Sequence, residues 1–171
     1  MGDLVRWKLG PRRGCIRVTS ALDWYLCGLR LEEANPDDPS KAMAAYRRAL
    51  AKRRDFADAY NNLGRLHHDR NDLADAESLY RLAICSAQDV ALYWFNLGVV
   101  LEDLGRSAEA IEVYERTLAL DNSLADAHWN LARQLELVGK RGPIVDELVM
   151  RRAVRHLHRY RDLIRSGIPA R

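Results

Sequence analysis

The 171-residue chain has few cysteines and no long apolar run. Its three cysteines are an odd number without CxxC spacing, which argues against a disulfide framework and against a cysteine-based zinc site. We therefore expect a reducing, cytoplasmic setting. No stretch approaches the ~18 uninterrupted apolar residues of a membrane helix, so no membrane partner is expected. The first residues also lack the apolar core of a secretory signal.

Motifs that would indicate an enzyme are missing as well. The sequence has no glycine-rich phosphate loop, no GxSxG nucleophile motif and no HExxH zinc motif. His156 and His158 are two residues apart, so on a helix they would point to different faces and make no metal site. His67 falls at an apolar position and is interpreted as a buried side chain. The prediction is a non-enzymatic protein without cofactor or metal.

Charge is distributed unevenly along the chain. Residues 1–20 hold five basic and one acidic side chain, residues 21–139 thirteen and twenty, and residues 140–171 nine and three. An acidic middle is thus flanked by two basic ends. Residues 1–20 follow neither a helical nor a strand period, so we predict an irregular segment there. Solvated ends explain this pattern, and a nucleic acid partner of the basic ends is the alternative.

What the sequence does contain is a repeat with a period of 34 residues. Equivalent residues 34 positions apart are Leu63 and Leu97, Gly64 and Gly98, Ala76 and Ala110, and Tyr80 and Tyr114. Gly28 precedes Gly64 by 36 positions, so the first unit carries two extra residues in its proline-containing loop. Within a unit, apolar residues recur at helical intervals. Each unit is therefore predicted to form two antiparallel helices.

This pattern resembles the tetratricopeptide repeat family. The family's aromatic, Leu-Gly, Ala and second aromatic positions are filled in the third unit by Trp94, Leu97, Gly98, Ala110 and Tyr114. The closing proline of the family is replaced by Arg54, Gln88 and Asn122. The resemblance implies an all-α, right-handed solenoid of antiparallel helix pairs that binds a protein or peptide ligand on its concave side.

The repeat divides the chain into predicted segments. After the N-terminal segment come repeats at 21–56, 57–90 and 91–124, the first helix of a fourth repeat at 125–139, a divergent basic terminal helix at 140–165 and a tail at 166–171. Pro143 is the predicted first residue of the terminal helix. Asn71, Gly105 and Gly139 are predicted to end helices in the left-handed conformation.

A row of asparagines marks the candidate binding surface. First helices line the concave side of such a stack, and each leaves one face open beside its apolar stripe. On that face Asn62, Asn96 and Asn130 recur at one offset. A carboxamide both donates and accepts hydrogen bonds, so this asparagine ladder could hold the backbone of an extended peptide. The alternative is that the three side chains are simply solvated.

Other candidates surround the asparagine ladder. The further predicted peptide-binding residues are Asn61, Arg65, Phe95, Trp129, Arg133 and Tyr25. Aromatic and arginine side chains dominate protein interfaces, although the aromatic ones could instead pack between repeats. The same face carries Asp69, Glu102, Asp103 and Glu136, so a neutral or basic ligand is expected rather than an acidic one. Self-assembly through an exposed repeat face is a third hypothesis, and no oligomeric state is predicted.

Overall fold

The computed structural model describes residues 19–141 and 145–167. In these ranges the chain forms eight α-helices and no strand. They are α1 (Ala21–Ala34), α2 (Ser40–Lys52), α3 (Ala57–Asp69), α4 (Leu73–Ser86), α5 (Ala91–Asp103), α6 (Ser107–Leu120), α7 (Ala125–Gly139) and α8 (Glu147–Arg165). The predicted irregular structure of residues 1–18 and the role predicted for Pro143 lie outside the described residues.

Successive helices pair into repeats. The pairs are α1 with α2, α3 with α4, α5 with α6, and α7 with α8, and each second helix before α8 also packs against the first helix of the next repeat. Neighbouring first helices α3, α5 and α7 contact one another too. They therefore line one common side of the stack, which we call the groove. The predicted all-α solenoid of antiparallel helix pairs is confirmed.

Of the described helices, only the first and the last have a side-chain cap at their N-terminus. The Ser20 hydroxyl accepts a hydrogen bond from the Asp23 N–H, while the Asp23 carboxylate accepts one from the Ser20 N–H, both at 3.0 Å. Asp146 caps α8 by accepting from the N–H groups of Leu148 and Val149. The helices α2 to α7 have no side-chain N-cap. Their starts are therefore determined mainly by packing against neighbouring helices.

Two of the three predicted left-handed residues are confirmed. Asn71 has a φ of 62° and Gly105 a φ of 72°. The prediction for Gly139 is wrong, because this residue still belongs to α7 and packs against Met150 of α8. The terminal helix, predicted at 140–165, begins later among the described residues: α8 starts at Glu147, directly after Asp146, which caps it.

In each of the first three repeats, a tyrosine of the second helix packs on a glycine of the first. The pairs are Gly28 with Tyr46, Gly64 with Tyr80 and Gly98 with Tyr114. A Cβ atom added to Gly98 would lie 2.6 Å from the ring of Tyr114, which is closer than real side chains approach. A helical glycine costs about 1 kcal/mol relative to alanine. Close packing of a nearly completely buried tyrosine offsets that cost.

A pair of histidines that the sequence did not predict joins α8 to α7. Nδ1 of His128 lies 2.9 Å from Nδ1 of His156, and Nε2 of His128 lies 3.3 Å from the carbonyl oxygen of Asn122. Nε2 of His128 faces an acceptor and therefore carries the proton, so Nδ1–H of His156 donates to Nδ1 of His128. Burial lowers the pKa of His128. Burial and the neighbouring His128 lower the pKa of His156 to about 4.

The glycine–tyrosine contact predicts the effect of filling the space above a glycine. Gly98→Ala should lower the free energy of unfolding by about 1 kcal/mol or more, because overpacking outweighs the gain in helix propensity. Urea unfolding followed by circular dichroism measures it. Gly64→Ala is the matched comparison, since its added Cβ would lie 3.0 Å from the Tyr80 ring and the loss should be smaller. A Gly98→Ala variant as stable as the wild type would contradict this account.

The histidine pair predicts a stability that depends on pH. The folded-state pKa of His156 lies below its ordinary value of 6.5, so the unfolded chain binds more protons and stability falls as the pH drops from about 6.5 toward 4. His156→Gln keeps a donor for His128 but does not titrate. The difference in unfolding free energy between pH 7.5 and pH 5 should therefore be smaller in this variant. His158→Gln, at an exposed position of the same helix, should behave like the wild type.

Candidate functional site

The asparagine ladder lies in the groove but is joined to the stack. Its three side chains are half-buried. Nδ2 of Asn62 donates to the Tyr25 hydroxyl at 3.2 Å, and Nδ2 of Asn130 donates to the Tyr114 hydroxyl at 3.2 Å. Nδ2 of Asn96 donates to Oδ1 of Asn61 at 2.8 Å. Each of these hydrogen bonds reaches the preceding repeat, so the ladder holds neighbouring repeats together.

Part of the hydrogen-bonding capacity of the ladder is still available. Oδ1 of Asn62 accepts a hydrogen bond from Nδ2 of Asn61 at 3.2 Å. Oδ1 of Asn96 and Oδ1 of Asn130 accept none from the residues that the structure describes. A carboxamide oxygen can accept two hydrogen bonds. Asn96 and Asn130 therefore present unoccupied acceptor oxygens to a ligand. Asn62 presents one that already accepts a hydrogen bond.

The prediction that Asn61 faces the groove is wrong. Its side chain is only 6% exposed. The amide of Asn61 lies between Asn62 and Asn96, donating to the first and accepting from the second. This arrangement satisfies a buried polar group, which would otherwise be costly. Asn61 thus holds the side chains of Asn62 and Asn96 in place and is too buried to contact a ligand.

At the junction of the first two repeats, a glutamate connects a buried tyrosine to an arginine. The Tyr46 hydroxyl donates to Glu32 at 2.6 Å. Arg65 forms an ion pair with the same glutamate and a second one with Asp69 at 3.1 Å. The Glu32 side chain is only 19% exposed, so the bulk solvent screens this contact incompletely. Arg65 is therefore already neutralised by two carboxylates.

The junction of the last two repeats has the same arrangement. The Tyr114 hydroxyl donates to Glu102 at 3.2 Å, and Arg133 pairs with Glu102 at 3.0 Å. Burial together with the adjacent carboxylate raises the pKa of Tyr114, and burial with a hydrogen bond to Glu32 raises that of Tyr46. Both hydroxyls therefore remain protonated donors. The two sets occupy equivalent positions in the repeat, and we call them the outer clusters.

The central junction differs from both outer clusters. His68 and Val99 stand at the positions of the glutamate and the arginine. His68 instead contacts Asp103, with 2.6 Å between Nε2 and Oδ2. The Tyr80 hydroxyl has no hydrogen-bond partner among residues 19–141 and 145–167. The groove floor is therefore not the same in its middle as at its two ends.

The predicted aromatic anchors pack mainly within their own repeats. The Tyr25 ring centroid lies 5.7 Å from that of Tyr46, and the Phe95 centroid lies 6.0 Å from that of Tyr114. Both side chains are half-buried. Trp129 lies 5.3 Å from Tyr160 of α8 and is 42% exposed. Of the three anchors, Trp129 presents the largest open aromatic surface.

A depression of about 430 Å³ lies beside Arg65 at the first outer cluster. Its charged lining consists of Glu32, Glu33 and Asp69 together with this arginine. Two prolines of the α1–α2 loop, Pro36 and Pro39, also line the depression, so the loop with the two extra residues contributes to it. The excess of carboxylates gives this end of the groove a negative potential.

Glu32 is the residue that sequence reasoning missed. It is equivalent to Glu102, but the two extra residues in the first unit conceal the correspondence when a constant period of 34 is applied. Counting from Gly28 places Glu32 at the offset that Glu102 has from Gly98. The tyrosine hydroxyls were missed because an apolar stripe predicts burial of a ring and not the direction of its polar end.

Neither 19–141 nor 145–167 brings three or more His, Cys, Asp or Glu side chains together in a way that could hold a metal ion. No described helix is both long and apolar enough to cross a membrane.

Comparison with known families decides the identity of the repeats. Residues 37–90 and 91–124 match two models, each of the tetratricopeptide repeat. The chain belongs to the tetratricopeptide repeat family. Members of this family are generally protein-interaction scaffolds.

Solved structures of MamA are similar to this chain in fold. One crystal structure of MamA has a TM-score of 0.74 at 18% identity, covering 86% of this chain and 80% of MamA. MamA RS-1, an ArsTM double mutant, has a TM-score of 0.72 at 18% identity over 86% and 76%. MamA AMB-1 has a TM-score of 0.69 at 20% identity over 86% and 80%. No curated protein sequence matches the chain.

The hydrogen bonds of the ladder predict that its asparagines contribute to stability. Asn130→Ala should lower the free energy of unfolding by about 1 kcal/mol, because the Tyr114 hydroxyl loses a donor from the next repeat. Asn122→Ala changes an exposed asparagine and is the matched control. Chemical denaturation of both variants makes the comparison, and equal stability would mean that the amide of Asn130 is only solvated.

Proposed function

We propose that the chain is a non-enzymatic interaction module that binds an extended, neutral or basic peptide segment of a protein partner in the groove. The observation that carries the proposal is the position of Asn96 and Asn130, whose Oδ1 atoms are open although their Nδ2 atoms are fixed. A held carboxamide loses little further rotational freedom when a ligand binds, which reduces the entropic cost of binding. The backbone N–H groups of an extended peptide are the donors that such acceptors need.

The charges of the groove support the preference for a neutral or basic segment. Arg65 and Arg133, expected to set the preference of the ligand, are each paired with carboxylates. An acidic ligand would have to break these ion pairs before it could use the arginines. A basic side chain instead meets Asp69 and Asp103, whose carboxylates are about half exposed although Arg65 and His68 already contact one oxygen of each. The arginines therefore orient the glutamates and do not attract an acidic ligand.

Side-chain recognition is proposed at the C-terminal end of the groove. Trp129 has an open ring face and is held in place by Tyr160. An aromatic side chain with few rotamers binds at low entropic cost. We assign to Trp129 the apolar contact with the ligand, whereas Tyr25 and Phe95 shape the floor.

Three synthetic peptides of equal length test the proposal. They share an extended, apolar-rich sequence and differ only in carrying Lys, Gln or Glu at the same positions. We expect micromolar binding of the Lys peptide, weaker binding of the Gln peptide and none of the Glu peptide, by fluorescence anisotropy. Asp69→Asn with Asp103→Asn should reduce the affinity for the Lys peptide by about tenfold, an amount typical of charge pairs that are lost on binding.

A control variant separates the groove from general charge. Glu112→Gln with Asp89→Asn removes as many negative charges at exposed positions outside the proposed contact. This variant should bind the Lys peptide within about twofold of the wild type, after allowance for weak long-range attraction. Equal losses in both double variants would refute specific binding in the groove.

No observation favours the nucleic acid alternative enough for it to be proposed. Among the arginines of α8, Arg151 pairs with Glu147 and Arg152 with Glu115 of α6. Single-stranded nucleic acid is bound through basic side chains interleaved with exposed aromatic rings. The tyrosine ring of α8, that of Tyr160, packs against Trp129 at an interplanar angle of 41°.

A further inference from the structure

The Tyr80 hydroxyl is a buried donor without a partner in the described part of the chain. The side chain is only 2% exposed, and no atom of residues 19–141 or 145–167 forms a hydrogen bond with its oxygen. The hydroxyls of Tyr46 and Tyr114, at the same position of their repeats, each donate to a glutamate. A buried hydroxyl that finds no acceptor is costly. It therefore marks a position at which a ligand gains by supplying one.

The packing of the ring determines the direction of this hydroxyl. In all three repeats the same tyrosine atoms, Cε1, Cδ1 and Cζ, lie closest to the glycine of the first helix. The Tyr80 hydroxyl is therefore directed to the junction with the next repeat, as its counterparts are. Burial raises the pKa of Tyr80, and the charges of Arg65 and Asp69, on the groove face of α3, shift it in opposite directions. The hydroxyl is thus a protonated donor close to the groove.

The Tyr80 oxygen also remains accessible. Among the described side chains, the unpaired polar atoms that are sealed from solvent are Nδ1 of His67 and Oε1 of Gln134, and the Tyr80 oxygen is not one of them. His68 and Val99 leave it open, because the first is directed to Asp103 and the second has no polar group. So small an opening admits a protruding oxygen atom more easily than a branched group.

The charges near the hydroxyl favour a neutral acceptor. Arg65 and Asp69 form an ion pair at 3.1 Å, and Arg65 also pairs with Glu32. A ligand carboxylate would therefore face two carboxylates that already share one arginine. An extended peptide offers a neutral acceptor at every residue, namely its main-chain carbonyl group.

Oδ1 of Asn96 is a matching acceptor in the same junction. Asn130 donates to the Tyr114 hydroxyl from 16 positions further along the chain, and Asn96 follows Tyr80 by the same number of positions. Asn96 donates instead to Asn61, and its Oδ1 atom accepts no hydrogen bond from the residues that the structure describes. The N–H and C=O groups of one residue of an extended chain point to the same side. One ligand residue can therefore meet both groups.

We propose that the Tyr80 hydroxyl donates to a main-chain carbonyl group of the extended ligand at the centre of the groove and so fixes the register of the ligand. This contact rests on the proposed function, because it belongs to the same groove. Glu32 and Glu102 engage the equivalent hydroxyls of the outer clusters, so the central hydroxyl is the available one of the three.

Tyr80→Phe removes the hydroxyl and keeps the ring on Gly64. By fluorescence anisotropy this variant should bind the Lys peptide about fivefold more weakly, a loss typical of one hydrogen bond between neutral groups. Its stability in urea should equal that of the wild type, because no partner within the described residues is lost. Tyr60→Phe makes the same chemical change on the apolar stripe of α3, where Tyr60 packs against the core. This control should leave the affinity unchanged.

A series of modified ligands locates the carbonyl group. In each Lys peptide of the series one main-chain carbonyl oxygen is replaced by sulfur, a weak acceptor. A replacement at one central position should weaken binding to the wild type by about fivefold. In Tyr80→Phe the same replacement should have no further effect, because both changes remove the same hydrogen bond.

The possible failures are distinguishable. Lys-peptide binding that Tyr80→Phe leaves unchanged would refute the contact and keep the proposed function. No binding to the wild type would refute both. Losses from Tyr80→Phe and from the sulfur replacement that simply add would mean that the hydroxyl does not contact this carbonyl group. A loss of stability as large as that of Tyr114→Phe would show that the Tyr80 hydroxyl has a partner within the protein, which also contradicts the proposal.

Discussion

The contact of a tyrosine ring with a glycine backbone is the constraint on which the stack depends. At Gly28, Gly64 and Gly98 the absence of a side chain lets the second helix approach until the ring lies over the backbone. The helices α2 to α7 lack side-chain caps, so the positions of these helices follow from such packing and not from their ends. Within residues 19–141 and 145–167, side-chain caps occur at α1 and α8 only.

The same contact connects the core to the groove. The buried ring places its hydroxyl at the junction with the next repeat. There the hydroxyl of Tyr46 donates to Glu32, and that of Tyr114 donates to Glu102. The glutamates in turn fix Arg65 and Arg133. Polar side chains that would otherwise be mobile on an exposed surface are therefore held in place by buried tyrosines. A groove built in this way loses little conformational freedom on binding a ligand.

The sequence predicted the features that follow from the 34-residue period. It did not predict features that lie where the period breaks, or contacts between side chains of different repeats. Constant spacing is enough to predict α6 at Ser107–Leu120 and the row of asparagines. Constant spacing does not indicate which side chains form hydrogen bonds between repeats, so the burial of Asn61 was not predicted. The 34-residue period of the sequence breaks after Gly139, which explains why the start of α8 was placed too early and why the contact of His128 with His156 was missed.

The central junction leaves its tyrosine without the polar partners that the two outer clusters provide. Tyr25, Phe95 and Trp129 occupy the offset at which the second repeat has Asn61. Asn96 donates to Asn61 at this offset, as Asn62 does to Tyr25, whereas Asn130 donates to Tyr114 of the second helix. With His68 and Val99 in place of a glutamate and an arginine, no described side chain replaces the lost partner. If a peptide binds as proposed, the Tyr80 hydroxyl is the unengaged donor on the groove floor. A ligand carbonyl group that reached this hydroxyl would accept a hydrogen bond from it, and the uneven floor would then favour one register of the peptide.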